Sequence, residues 1–218
     1  MMLELKNMTG NKKTTQMGSI MKRVSGALLF VLITGCVAVD VVSPYDEVID
    51  NGLQAYKESI NTLAMNLSDS AGKKEGTFEE NREKYNALEA KINLLIDRAA
   101  IQSSGKGCKL TTDVTAKVEK IMGDNMPLEA EQKDDGDSYG CTERLLILVK
   151  QQLLLLQQIH KETDKCTAIG IREDEDAEPS KISCLRPATS KTAMKITNQS
   201  INAAWVVETA KKTEREYR

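Results

Sequence analysis

The chain has 218 residues, with 30 Lys and Arg against 32 Asp and Glu, one His, four Pro, two Phe and one Trp. At about 100–200 residues per domain this is one domain with an appendage, which excludes a large multidomain enzyme. An aromatic content of 4% argues against a β-sandwich or barrel, and a formal charge of −2 with a single His supplies neither a basic field for nucleic acid nor a histidine metal centre.

Residues 1–20 carry no periodic apolar pattern and read as a long basic leader or as sequence upstream of the true start. Met21-Lys22-Arg23 then precedes the ten apolar or small residues Val24–Ile33, and Thr34-Gly35-Cys36 closes the segment. A basic n-region, an apolar h-region and a small-residue cleavage site make a secretory signal peptide. Ile33-Thr34-Gly35-Cys36 resembles the lipobox of bacterial lipoproteins. That resemblance covers this segment alone and implies lipidation of Cys36 through its sulfur and cleavage before it. The competing reading is an uncleaved membrane helix, but the uncharged run Val24–Val39 is 16 residues, short of the roughly 20 that a span needs.

Removing residues 1–35 takes away Lys6, Lys12, Lys13, Lys22, Arg23 and Glu4, so 25 basic residues face 31 acidic ones and the product carries −6. A net-acidic body gains nothing from an anionic bilayer surface, so attachment rests on the acyl chains, each methylene contributing about 0.8 kcal/mol. Val37 follows the Cys where an inner-membrane retention signal would have Asp, so the expected location is the outer membrane facing the periplasm, with the periplasmic side of the inner membrane as the alternative. Residues 36–43 form a tether that spans at most about 25 Å, and residues 44–218 form the body.

In the body, Ser43-Pro44-Tyr45-Asp46 reads as an N-cap followed by a first-turn Pro, and Ile49, Leu53, Tyr56, Ile60, Leu63 and Leu67 then fall on one helical face. The second helix opens at Thr77-Phe78-Glu79-Glu80, a capping box, and repeats Phe78, Tyr85, Ile92 and Ala99 with Leu88 and Leu95 between them, a heptad seam. A short helix is predicted over Asp113–Met122. The third long helix runs from about Thr142 to Thr163, with Leu145, Leu146, Leu148, Val149, Leu153, Leu155, Leu156 and Ile159 in a broad apolar arc. Ile147 and Leu154 lie on its other side, among Lys150, Gln151, Gln157 and Gln158. The fourth starts at Ser190, places Met194, Ile201, Ala204 and Trp205 on its apolar side, and ends in two polar turns expected to fray or project. Helix breakers fill 68–76, 103–112, 123–140 and 166–189. The expected fold is all-α, an antiparallel up-down four-helix bundle with one short extra helix.

With Cys36 assigned to lipid, Cys108, Cys141, Cys166 and Cys184 remain, an even number that reads as two disulfides in an oxidising compartment. Cys141 and Cys166 flank the third helix about 37 Å apart at 1.5 Å per residue, too far to bridge. In an up-down bundle Cys108 and Cys141 share one end and Cys166 and Cys184 the other, so those are the expected pairs. No CxxC spacing supports a redox or metal role instead.

His160 falls inside the apolar arc and reads as a packed or rim residue rather than a catalytic base. Gln152 shares that arc, as a rim residue or as a buried amide that sets helix register. The sequence has no P-loop and no H-E-x-x-H. The acidic runs Asp134-Asp135-Gly136-Asp137 and 173–178 lack EF-hand ligand spacing and read as solvated loops. Ile147 and Leu154 are the candidate partner stripe, against burial beneath 123–140 or the short helix. The function expected is non-enzymatic and without cofactor: a lipid-anchored envelope protein binding or scaffolding a periplasmic or membrane protein. A carrier of a small apolar ligand or metal ion in the bundle core is the alternative.

Overall fold

A computed structural model describes residues 43–104, 107–123, 138–169 and 180–216 of the chain. They form a mostly helical fold with two disulfides and one small sheet. The helices are α1 (Glu47–Asp69), α2 (Phe78–Ser103), α3 (Thr112–Met122), α4 (Cys141–Gln158) and α5 (Pro187–Glu216). A 3₁₀ turn at Lys74–Gly76 leads into α2, and a π turn at Ile159–Thr163 extends α4. Strands β1 (Lys165–Thr167) and β2 (Lys181–Ser183) pair antiparallel, Cys166 opposite Ile182. This hairpin lies in the stretch 166–189 that the sequence offered only as a breaker-rich link.

Most of the predicted apolar faces form the core, but Leu148, Ile159 and Trp205 are half-buried and Leu155 is exposed, because each lies at the edge of its helix's packed side. Ile49, Leu53, Tyr56, Ile60, Leu63 and Leu67 of α1 are buried, as are Phe78, Tyr85, Leu88, Ile92, Leu95 and Ala99 of α2. Leu145, Leu146, Val149, Leu153 and Leu156 of α4 and Met194, Ile201, Ala203, Ala204 and Val207 of α5 complete it. Helix α5 packs against α1, α4 and α3, while α2 packs against α1 and α4. Val114, Val118 and Met122 of α3 face the core, the 3–4 spacing of a short amphipathic helix.

Three terminal details depart from the local reading. Asp46, not Ser43, caps α1: its carboxylate accepts from the amides of Val48 at 2.8 Å and Ile49 at 3.4 Å. The Thr77 side chain makes no capping bond to α2 and instead donates to the Lys74 carbonyl. The cap comes from 105 residues away, where Ser183 Oγ accepts from the Phe78 amide at 3.0 Å and donates to Glu79 at 3.1 Å. The last part of α5 does not simply project: Lys211 is buried against Glu208, at 2.7 Å.

Candidate functional site

Polar contacts gather the helix ends into two sets. In the first, Glu208 is fully buried and accepts from the Asp46 amide at 2.7 Å, Thr142 Oγ1 at 2.9 Å and Lys211 Nζ at 2.7 Å. The Asp46 carboxylate in turn accepts from Arg98 Nε and Gln102 Nε2. This network therefore ties the beginnings of α1 and α4 to the last turns of α2 and α5. Burial pushes the Asp46 carboxyl up, but the Arg98 guanidinium and the amides of Val48 and Ile49 outweigh it and hold it below the usual carboxylate range. Nearby, Asp50 accepts from Tyr45 at 2.7 Å and from Trp205 Nε1 at 2.5 Å, and that bond pushes the Tyr45 hydroxyl up to about 12. Cys108–Cys141 lies at this end, with its Cα atoms 4.4 Å apart.

The second set surrounds His160, which is packed and fully buried. Its Nε2–H donates to the Gly76 carbonyl at 2.9 Å, so Nδ1 is the acceptor for Tyr85 Oη at 3.0 Å. Phe78 stands edge-on to the imidazole with ring centroids 5.9 Å apart. Burial lowers the His160 pKa, outweighing the Gly76 bond, which works the other way. Gly76 is required there, because a Cβ would sit 2.1 Å from the Ser70 carbonyl oxygen. Asp164 is buried beside this site and accepts from Arg186 Nε at 2.8 Å; burial raises its carboxyl, but Arg186 and Thr189 hold it below its ordinary value. Cys166–Cys184 closes this end, with Cα atoms 5.8 Å apart. Both disulfides are the pairs expected from helix length and loop position.

Between the two ends, the solvent side of α4 carries an unusual surface. At about 100° per residue Ile147, Leu148, Gln151, Leu154, Leu155 and Gln158 fall in one arc; Arg144 falls in it too but is buried, so the exposed α4 residues of the arc are all uncharged. Leu154 is 39% and Leu155 57% exposed, Gln151 and Gln158 are exposed, and Ile147 and Leu148 are half-buried. On the edge toward α2, Lys150 is neutralised by Glu89 at 3.8 Å. On the edge toward α5, the half-buried Gln152 donates to Ser200 at 2.8 Å. Of the two residues singled out by sequence, Leu154 is open to solvent and Ile147 half covered. Leu155 is the exposed residue that sequence reasoning missed, since the apolar run 153–156 hides which leucines point outward.

The described residues hold one His and four Cys, all four Cys in disulfides. They contain no group of three or more His, Cys, Asp or Glu placed to hold a metal ion. A cavity between Leu110, Val114 and Val207 measures about 20 Å³, close to the space of one water. No helix among the described residues is long and apolar enough to cross a membrane. Cys36 and the acidic runs 134–137 and 173–178 lie outside the described residues. The chain matches no protein-family model, no curated protein and no solved structure.

Proposed function

We propose that the chain is a lipid-anchored cell-envelope protein, attached through acyl chains on Cys36 to the outer membrane and facing the periplasm. Its helical body, an antiparallel up-down four-helix bundle with α3 laid against α5, acts as a binding or scaffolding module for a protein partner in the envelope. The observation that carries the binding role is the uncharged outer face of α4, where Leu154 and Leu155 stand in solvent in a chain with 28% charged residues. The up-down arrangement is supported by Glu208, which joins the starts of α1 and α4 to the last turns of α5. It is supported equally at the far end, where Ser190 near the start of α5 donates to the Ala64 carbonyl near the end of α1 at 3.2 Å. Two disulfides suit an oxidising compartment.

Capture of partners from envelopes in mild detergent tests this reading. The wild-type protein should retain a specific partner that Ile147→Glu combined with Leu154→Glu loses, while thermal stability stays unchanged. Recovery of the same proteins by both forms, or of neither another protein nor a second copy of this chain, refutes it.

A further inference from the structure

Resting on the reading of α4's outer face as an interaction surface, we propose that its occupant is the same face of a second copy of this chain, with the two α4 helices parallel. Ile147, Gln151, Leu154 and Gln158 follow one another at intervals of four, three and four, the spacing of a two-helix seam, and Leu148 and Leu155 flank it.

Charge and hydrogen bonding both select the partner. A chain with an excess of acid repels its own copy across most faces, but the exposed residues of this face, Gln151, Leu154, Leu155 and Gln158, are uncharged, Arg144 one heptad before Gln151 is buried, and the edge residue Lys150 is paired with Glu89. The exposed polar groups on the seam are glutamines, and a primary amide, with a carbonyl acceptor and an NH₂ donor, is its own complement. Parallel pairing in register sets Gln151 against the other copy's Gln151, Gln158 against Gln158, and each aliphatic residue against its equal. A purely aliphatic partner would leave both amides without hydrogen bonds once water is excluded. The antiparallel alternative brings at most one seam position to face itself.

Anchoring favours the same orientation. Asp46, close to the tether, and Thr142, at the start of α4, both bond Glu208, so the tether leaves from the end where α4 begins. Two copies held by one membrane surface thus present α4 in parallel. A seam one helix wide is at the low end of interface sizes, and confinement to a membrane raises the effective concentration that such a seam needs.

Disulfide trapping of the full chain in the membranes of expressing cells tests this, with native disulfides mapped in each variant. Ile147→Cys, Gln151→Cys and Leu154→Cys should each form homodimers, about tenfold more than Met65→Cys or Leu94→Cys, which are exposed on other helices. Gln158→Cys reports the same seam should one of the three misfold. Dimers at Gln151→Cys alone would signify antiparallel pairing and overturn the proposal, as would equal trapping at the control positions or none anywhere. Absence of dimers together with capture of a different envelope protein, lost in Ile147→Glu with Leu154→Glu, would overturn the self-pairing and leave the binding role standing. Absence of both would remove the binding role as well.

Discussion

Replacing Glu208 with Leu should be among the most destabilising single changes in this protein. Glu208 is fully buried and holds three donors at once: the Asp46 amide, the Thr142 hydroxyl and the Lys211 ammonium, whose side chain is itself buried. Leu leaves Lys211 as an uncompensated buried cation, and breaking a buried pair in this way costs about 3–5 kcal/mol. The stranded amide and hydroxyl push the loss toward the upper end of that range. Lys211→Met removes the cation while Glu208 keeps its other two donors, so its cost should be smaller, about 1–3 kcal/mol. The double variant no longer contains the stranded cation and should therefore be more stable than the sum of the single losses predicts, by at least about 1 kcal/mol. Urea denaturation followed by far-ultraviolet circular dichroism on all four proteins closes the cycle. Single losses that add to within about 0.5 kcal/mol, or a Glu208→Leu cost below about 1 kcal/mol, would show that the pair is solvated and the network is not a buried clasp.

Stability should depend on pH in two separate windows. His160 is neutral when folded with its pKa below the ordinary 6.5, so the unfolded chain binds its proton first, and stability present above pH 6.5 should decline as pH falls through it. His160→Gln should abolish that decline, measured as the urea midpoint on either side of pH 6.5; a decline that survives in the variant assigns it to another group. Asp46 and Asp164 have folded pKa values below the ordinary 3.8, so their contribution is intact above that value and is lost only in more acidic solution. Replacing both Cys166 and Cys184 with Ser opens a loop of 18 residues and should cost about 3 kcal/mol, and the 33-residue separation of Cys108 and Cys141 gives slightly more, about 3–4 kcal/mol. Peptide mapping without reduction should recover those two pairs, and a Cys108–Cys184 peptide would contradict the structure. Labelled fatty acid should enter the wild-type protein and not Cys36→Ala; equal labelling of both would remove the lipid anchor.

The described helices and most of the core were legible because they repeat: α1 and α2 place an apolar residue every three or four positions, and every residue assigned to those faces is buried. Disulfide pairing was legible too, because a continuous helix between Cys141 and Cys166 keeps its ends apart and each remaining cysteine has one neighbour at its own end. The candidate surface was half legible. Ile147 and Leu154 stood out as apolar residues on the polar side of α4, whereas Leu155 sits in a run of four leucines whose individual directions depend on which helices pack alongside.

By itself the sequence determined the helical class, most of the apolar faces and the disulfide partners, all of which depend on local spacing and residue type. Only the tertiary structure decided where the charges and caps went. Glu208 and Lys211 look like ordinary solvent-facing residues in a polar helix end, and they are buried because Asp46, 162 residues earlier, brings its amide to Glu208. Ser183 caps α2 from a strand 105 residues away, and His160 becomes a neutral core residue because Gly76 and Tyr85 converge on its two nitrogens. Periodicity reports which side of a helix is apolar. It carries no record of which distant polar group will meet a buried one, and that pairing determines whether burying a charge is tolerated.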